Sequence, residues 1–243
     1  MIASLTFTYG NERMDIFKYK KKDNIDILLR NNIDYNLYIF HNSSIDYINK
    51  VRDTNILNEL NCKIGTLTGN YPEALKSALY FLKEKGVTKI LFFQDDVFST
   101  IKSENALYDL IDYIKTTQDN YLNLELYTEA NESIDILHKR EHFNIYKTDL
   151  KYFIDKGGWS FDDSPYYAKL DYALNTIYDN TYFSYPDIWS AEWYLKAKFD
   201  SMAKTTIRPI TNKQFFRRVN FIGRHDWNKV AEVDFLNTHF KIE

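Results

Sequence analysis

The sequence predicts an α/β fold with a mostly parallel central sheet and a smaller antiparallel part. Apolar runs typical of strands alternate with helical patterns through the first hundred residues, as in repeated βαβ units. Residues 87–93 form a nearly continuous apolar run, which is typical of a strand covered on both faces in a parallel sheet. Residues 121–128 instead alternate strictly between apolar and polar side chains, which indicates a half-exposed strand with antiparallel neighbours.

The first half of the chain predicts short strands that are separated by turns and helices. Gly10 and Asn11 mark the turn after the first strand. A basic stretch before the first clear helix is interpreted as a solvated face, and it contains Lys18, Lys20, Lys21 and Lys22. The expected strands are residues 2–8, 37–40, 63–68 and 87–93.

Apolar residues at helical spacing predict the helices between these strands. Asp23 or Asn24 is the expected cap of one helix, and the next helix is expected to break near Thr54. Pro72 suits the first turn of a further helix, because its missing N–H would have no partner there. Gly86 lies where a left-handed residue would end that helix.

The second half predicts a helix, further strands and one more short helix. Ser103 is the expected cap of a helix whose apolar face contains Leu107, Leu110, Ile111 and Ile114. Residues 143–147 form a second alternating strand. Thr148 is then expected to cap a short helix that carries Leu150, Phe153 and Ile154 and ends at Gly157 and Gly158.

Length and composition set limits on the class of protein. The 243 residues, of which 44% are hydrophobic, suffice for one α/β domain, and 7 Gly with 4 Pro argue against long linkers. The net charge of -3 does not indicate nucleic-acid binding. Cys62 is the single cysteine, so no intrachain disulfide framework is expected. Without an apolar run of about 20 residues or a basic leader, we expect a cytoplasmic protein, or one peripheral to a membrane.

Two adjacent acids, Asp95 and Asp96, follow the apolar strand at residues 87–93 directly after Gln94. Ligands of open α/β sheets bind at the carboxyl ends of the strands. Adjacent carboxylates repel each other, so they need a cation or hydrogen-bond donors nearby. A turn or helix cap is the alternative interpretation, because Asp is common where a strand gives way to a loop.

These motifs resemble those of GT-A-type, family-2-like glycosyltransferases, which use nucleotide sugars. Gln94-Asp95-Asp96 resembles the family's Asp-x-Asp motif, and the first strand with its following loop resembles the segment that contacts the base. The resemblance implies a Rossmann-like three-layer sandwich forming one domain over residues 1–243, with residues 1–100 binding the nucleotide sugar and residues 101–243 the acceptor. The implied donor-binding residues are Thr8, Tyr9, Gly10, Arg13, His41, Asn42, Asn70, Gln94, Asp95, Gly158 and Trp159.

The resemblance also implies a metal site and a catalytic base. Asp96 would bind Mn²⁺ or Mg²⁺ together with His225, which lies where the family often has a late metal-binding histidine. Glu192 resembles the base of inverting members, and Asp187 is the reserve candidate. The chemistry requires such groups in any case, because a divalent ion stabilises the departing diphosphate and a carboxylate takes the proton of the acceptor hydroxyl. Glu192 is expected near a helix start, where the helix dipole favours a negative charge.

Each of these residues also has a purely structural interpretation. Glu192 suits the first turn of any helix, and Asn70 suits a helix cap. Tyr9 is equally compatible with a packed aromatic, and His225 with a surface ion pair. Aromatic residues crowd the stretch from 159 to 194, where most are expected in the core and a few are expected to face sugar.

The sequence thus predicts a metal-dependent glycosyltransferase that acts on a nucleoside-diphosphate sugar and inverts the sugar configuration. The expected acceptor is a hydroxyl of a glycan or of a lipid-linked acceptor, and a homodimer is compatible with this prediction. Two alternatives stay open. A sugar nucleotidyltransferase would share the strand–helix alternation, although residues 10–13 are sparse for its Gly-rich and basic loop. A non-catalytic carbohydrate-binding protein would keep the fold, and Gln94, His41 and Asn42 in place of acids leave room for it.

Overall fold

A computed structural model of the chain describes residues 1–11, 13–99, 104–124, 145–147, 151–154, 165–202, 208–211 and 216–218. These residues fall into two compact units. The first unit contains the described residues of Met1–Gly69, Leu91–Thr117 and Phe216–Glu243. The second unit contains those of Asn70–Ile90 and Gln118–Phe215.

Strands and helices alternate through the first part of the chain, as the sequence predicts. The strands are β1 (Ile2–Tyr9), β2 (Tyr35–His41), β3 (Lys63–Leu67), β4 (Lys89–Gln94), β5 (Val97–Ser99), β6 (Tyr121–Asn123), β7 (Ile145–Lys147), β8 (Lys151–Ile154), β9 (Tyr166–Lys169), β10 (Arg208–Thr211) and β11 (Phe216–Arg218). The helices are α1 (Met14–Lys20), α2 (Asn24–Asn31), α3 (Ile45–Asp53), α4 (Ile56–Glu59), α5 (Tyr71–Glu84), α6 (Glu104–Thr116), α7 (Leu170–Tyr172, continued by a π-helical turn at Ala173–Ile177), α8 (Asn180–Phe183) and α9 (Ile188–Met202).

A parallel sheet forms the centre of the first unit. Strand β1 pairs in parallel with β2, and β2 pairs in parallel with β3. The residues of β4 that belong to this unit lie beside β1, where the Asp95 amide donates to the Phe7 carbonyl at 3.0 Å. Every residue of β1 before Tyr9 is buried, as expected for a strand covered on both faces. The parallel pairing brings the carboxyl ends of β1 and β2 to the same edge.

The main apolar cluster of the first unit lies between the sheet and the helices α1, α3 and α4. Its buried members are Phe17, Tyr38, Phe40, Tyr47, Ile48, Val51, Ile56, Leu57 and Leu60. The expected break near Thr54 is confirmed, because α3 ends at Asp53 and α4 begins at Ile56. Asp23 caps α2 by accepting a hydrogen bond from the Asp26 amide at 3.1 Å, so the predicted cap is also confirmed.

The second unit contains the antiparallel part of the fold. Its strands follow the order β9-β6-β10-β8-β7. Strand β6 is antiparallel to β9, as its alternating sequence predicts, and parallel to β10. Strand β8 is antiparallel to both β7 and β10.

Two expectations from the sequence are corrected, and one strand was not predicted. Residues 151–154 are a strand and not a helix, because β7 and β10 supply ladder partners on both sides. The three-residue strand β5 was not predicted, since it depends on pairing with β11 from the far end of the chain. Lys20 is 4% exposed and not solvated, because its ammonium group pairs with Asp26 at 3.1 Å.

In the described part of the chain, no helix is long and apolar enough to cross a membrane.

Candidate functional site

The acidic turn after β4 is buried and tied to neighbouring side chains. Asp95 is fully buried and Asp96 is 6% exposed. One carboxylate oxygen of Asp95 accepts a hydrogen bond from the Thr8 hydroxyl, at the carboxyl end of β1. The other accepts from the Arg13 guanidinium, whose Nη1 atom is also 3.6 Å from Oδ2 of Asp96. Thr8, Arg13, Asp95 and Asp96, all expected from the sequence, are therefore brought together.

The charges of this turn influence one another. Burial raises the pKa of the Asp95 carboxyl to about 6; the Asp96 charge adds to the rise, while Arg13 and Thr8 oppose it. Burial by itself lowers the pKa of the Arg13 guanidinium, but the charges of Asp95 and Asp96 outweigh it and the net shift is upward. Burial, reinforced by the Asp95 charge, raises the pKa of the nearby Tyr47 phenol to about 12. A charged Arg13 thus faces the Asp95 carboxyl, whose raised pKa means that it holds its proton more readily than a free carboxyl would.

Two loops meet beside this turn at the carboxyl ends of β1 and β2. The Gly10 amide donates to the His41 carbonyl at 3.1 Å, and the Ser43 hydroxyl donates to the Gly10 carbonyl at 2.7 Å. The Ser44 amide donates to the Asn11 side chain at 2.7 Å. Gly10 has φ of +74°, a left-handed conformation that favours glycine, so the predicted turn is confirmed.

Tyr9 and His41 place an aromatic surface on these loops. Tyr9 is 58% exposed, which argues against its role as a packed core residue, and its ring centroid lies 5.3 Å from that of His41. His41 is buried, and its Nε2 atom lies 3.1 Å from the Gly69 carbonyl. Burial lowers the pKa of His41, although that carbonyl opposes the shift, so the imidazole is neutral at pH 7. The Asn42 side chain also binds Gly69: it donates to the Gly69 carbonyl and accepts from the Gly69 amide, both at 3.1 Å.

This edge of the first unit combines groups that suit a ligand with a flat ring, hydroxyls and negative charge. The exposed face of Tyr9 provides a stacking surface for a planar ring. The Arg13 guanidinium is a donor fork suited to phosphate oxygens. Gln94 is the last residue of β4 and is partly buried next to the acidic turn.

A buried ionic cluster, which was not predicted from the sequence, contacts the strand β5 directly after the acidic turn. The Asp26 carboxylate accepts from Lys20 at 3.1 Å and from Arg30 at 2.8 Å. Lys20 also donates to the Val97 carbonyl, and Asp23 accepts from the Ser99 amide at 2.8 Å and from its hydroxyl. Both ends of β5 are thereby fixed directly after Asp96. The four-position spacing of Asp26 and Arg30 could have indicated this ion pair from the sequence. The same spacing also occurs on solvated helix faces, so it does not predict burial.

The candidate bases lie in the second unit, on and before α9. Glu192 is half-buried and is the fifth residue of α9. The expectation of stabilisation by the helix start is therefore wrong, because the dipole effect is confined to the first turn. Asp187 precedes the helix and accepts from the Ser190 amide at 2.9 Å and from its hydroxyl at 2.8 Å. These hydrogen bonds lower the pKa of Asp187 and make it a helix cap.

The remaining predicted residues have varied positions. Asn70 caps α5 by accepting a hydrogen bond from the Glu73 amide at 2.9 Å, which agrees with its structural interpretation. Gly158, Trp159, His225 and the expected cap Ser103 lie outside the described residues. Among the residues that the structure does describe, no group of three or more His, Cys, Asp or Glu could hold a metal ion.

Comparisons with known proteins identify solved structures that share this fold. No family model matches the sequence, and no curated protein matches it. S. aureus TarS 1-349 in complex with UDP-GlcNAc is similar in structure, with a TM-score of 0.53 and 14% identity over 100% of this chain and 68% of that chain. UDP-glucose pyrophosphorylase complexed with UDP-glucose has a TM-score of 0.53 and 11% identity over 98% of this chain and 100% of that chain. HddC from Yersinia pseudotuberculosis has a TM-score of 0.52 and 13% identity, with coverage of 97% and 100%.

The chain spans 66% and 44% of the length of two further S. aureus TarS structures. At this level of identity the likeness concerns the fold. The mixed α/β architecture, with a mostly parallel sheet and an antiparallel part, is shared with these solved structures, and it confirms the fold class that the sequence predicted.

Proposed function

We propose that this protein is a glycosyltransferase that moves a sugar from a nucleoside diphosphate to a hydroxyl of a glycan or lipid-linked acceptor. The observation that carries the proposal is the buried acidic turn at the end of β4, bound to Thr8 and Arg13 beside the loops of β1 and β2. Solved structures with the same fold include complexes with UDP-GlcNAc and with UDP-glucose. A nucleotide sugar is therefore the ligand class that best agrees with both the fold and the groups present.

Five of the proposed donor-binding residues, Tyr9, Arg13, His41, Asn42 and Asp95, belong to the first unit. The exposed ring of Tyr9 stacks on the base, and the neutral His41 and Asn42 hold the loop around it. Asp95 accepts hydrogen bonds from the ribose hydroxyls when these hydroxyls replace its present donors, Thr8 and Arg13. Arg13 binds the diphosphate. Its guanidinium lies beside two carboxylates, which would otherwise repel the phosphate groups. Gln94, Asn70, Gly158 and Trp159 remain predicted donor contacts.

A divalent ion remains part of the proposal. Mg²⁺ and Mn²⁺ in nucleotide enzymes are typically bound by one or two carboxylates and by substrate phosphates, and a larger protein cage is not required. Asp96 provides an oxygen ligand at the strand end, and His225 is the proposed second ligand. When bound, such an ion would neutralise charge that develops on the departing diphosphate.

Glu192 is the proposed base for an inverting transfer. Its carboxylate would take the proton of the acceptor hydroxyl as the hydroxyl oxygen bonds to the anomeric carbon. The bond from that carbon to the diphosphate breaks in the same step, and the nucleoside diphosphate leaves with the electron pair. Asp187 stays the reserve candidate, although its capping hydrogen bonds already stabilise its ionised form and weaken it as a base.

Calorimetry and turnover measurements on two variants test this proposal. We expect Asp96→Ala to lose Mn²⁺-dependent binding of UDP, because the variant lacks the proposed carboxylate ligand. We expect Glu192→Gln to bind the donor normally and to lose transfer by at least about a hundredfold, the lower range for general-base catalysis. Asp171→Asn, on an exposed side chain of the second unit, is the control and should retain both properties. Unchanged transfer by Glu192→Gln would exclude that residue as the base.

A sugar nucleotidyltransferase is the second candidate, because UDP-glucose pyrophosphorylase has the same fold at a TM-score of 0.53. Product analysis separates the two functions. Release of nucleoside diphosphate from a nucleotide sugar indicates transfer, whereas release of pyrophosphate from a nucleoside triphosphate and a sugar phosphate indicates activation. If the protein binds a nucleotide sugar with Mn²⁺ but forms neither product, the non-catalytic carbohydrate-binding alternative is favoured.

A further inference from the structure

Helix α9 carries two tryptophans on one side. Trp189 and Trp193 are 52% and 66% exposed, among the highest exposures of large apolar side chains in the described residues. Trp193 lies four positions after Trp189, so the two side chains are neighbours along the helix surface. Two neighbouring exposed aromatic rings form a contiguous apolar patch, and such patches are often binding surfaces.

The helix that carries these rings is firmly fixed on its other side. Ala191 and Leu195 are buried. The Tyr194 hydroxyl and the Lys198 ammonium both donate to Asp179, at 2.7 Å and 2.6 Å. These contacts hold the side of the helix opposite the two tryptophans, which favours a preformed binding surface.

The size of the surface argues against a stable protein interface. A large aromatic side chain buries about 150–250 Å², so the exposed parts of the two rings amount to roughly 300 Å². A standard protein interface needs about 800 Å² per partner. Trp189 and Trp193 are also the exposed large apolar residues among the α9 side chains that the structure describes, whereas protein interfaces usually add aliphatic or further aromatic contacts.

The neighbouring groups are polar. Asp187 is exposed, and Ser190 and Glu192 are half-buried within the same short stretch of chain. Flat rings with a negative π-face attract the C–H groups on the apolar face of a sugar, and nearby carboxylates and hydroxyls accept hydrogen bonds from its hydroxyls. A neutral oligosaccharide combines these two properties in a ligand small enough for this surface.

We infer that Trp189 and Trp193 form a stacking platform for consecutive sugar rings of a glycan. Its description as the acceptor platform rests on the proposed function, in which Glu192 of the same helix takes the acceptor proton. The platform itself requires neither the donor nor turnover, and it can be tested without them.

The test measures binding of cellotetraose, chitotetraose and maltotetraose to the full chain by tryptophan fluorescence and by ligand-observed NMR. We expect at least one of these to bind, with an affinity reduced about tenfold in Trp189→Ala and in Trp193→Ala, an effect comparable to the loss of one aromatic ring stacked on a nucleobase. Tyr80→Ala removes a 45% exposed aromatic from α5 of the same unit and should bind as the wild type does. Trp193→Phe should retain part of the affinity, which distinguishes stacking from a folding defect.

Three outcomes would overturn the inference. One is that none of the three oligosaccharides binds, and another is that the double variant Trp189→Ala, Trp193→Ala binds as well as the wild type. The third is a concentration-dependent dimer that the double variant converts to a monomer, because the rings would then belong to an interface between two copies. Failure of the proposed function has a different signature, since UDP-sugar binding would be absent while oligosaccharide binding persisted.

Discussion

At the scale of single residues, Asp95 determines the character of the candidate site. It joins the end of β4 to the end of β1 through Thr8, and it holds Arg13 in place. The same contacts leave a guanidinium 3.6 Å from Asp96, where a divalent ion would need access. Arg13 and a metal ion therefore compete for Asp96 in electrostatic terms, and phosphate binding would relieve that competition by giving the guanidinium a second anion.

The pKa of about 6 for Asp95 gives a pH dependence of stability with a definite sign. Between about pH 4 and pH 6 the folded protein holds this proton more tightly than the unfolded chain, so the free energy of unfolding falls as the pH rises. Asp95→Asn removes this titration. We expect the difference in unfolding free energy, wild type minus variant, to fall from pH 4 to pH 6 and then level off, as measured by urea denaturation. A difference that rises with pH would contradict the buried, desolvated state of Asp95.

At the scale of elements, the strand β5 depends on a buried ionic cluster and not on apolar packing alone. Lys20, Asp26 and Arg30 are each less than 5% exposed, and Lys20 reaches the β5 backbone. The Arg30 guanidinium further donates to Ser4 and Thr6 of β1 at 2.9 Å and 3.0 Å. The cluster thus connects α1, α2, β1 and β5, and it supports the acidic turn between β4 and β5.

Removal of the central carboxylate should be far more costly than removal of an exposed one. Asp26→Asn leaves two buried cations without their counter-ion, and we expect it to lower the free energy of unfolding by about 3–5 kcal/mol. Asp171→Asn breaks the exposed pair with Lys83, at 2.9 Å, and should cost only about 0–1 kcal/mol. Chemical denaturation of both variants checks the contrast. Equal costs would mean that the cluster is hydrated and not a buried support.

At the scale of the whole molecule, the GT-A-like fold provides one unit with a parallel sheet and one with an antiparallel arrangement of strands. Thr8, Tyr9, Arg13 and Asp95, which are proposed to bind the donor, belong to the first unit, whereas Glu192 and the proposed tryptophan platform belong to the second. That different parts of the chain bind donor and acceptor remains a prediction. The proposed homodimer and the cytoplasmic location also remain predictions.

A thermal-shift screen tests the whole molecule, because a ligand that binds only the folded state stabilises it according to its occupancy. We expect UDP-sugars with Mn²⁺ to raise the melting temperature more than either component alone, and a ligand at a hundred times its Kd should add about 2.7 kcal/mol. Asp96→Ala should abolish the joint effect. A shift by nucleotide sugar that is the same with and without Mn²⁺ would indicate that Arg13 alone supplies the positive charge.

The sequence by itself determined the strand–helix alternation, the turn at Gly10, the break near Thr54 and the acidic turn after β4. These features follow from local patterns of apolar spacing, capping and turn residues, and such patterns depend only on residues close together in the sequence. Only the tertiary structure decided that Lys20 is buried, that residues 151–154 are a strand and that Arg13 lies against Asp95 and Asp96. Each of these depends on a partner distant in the chain, and a local pattern carries no information about which distant group will be there.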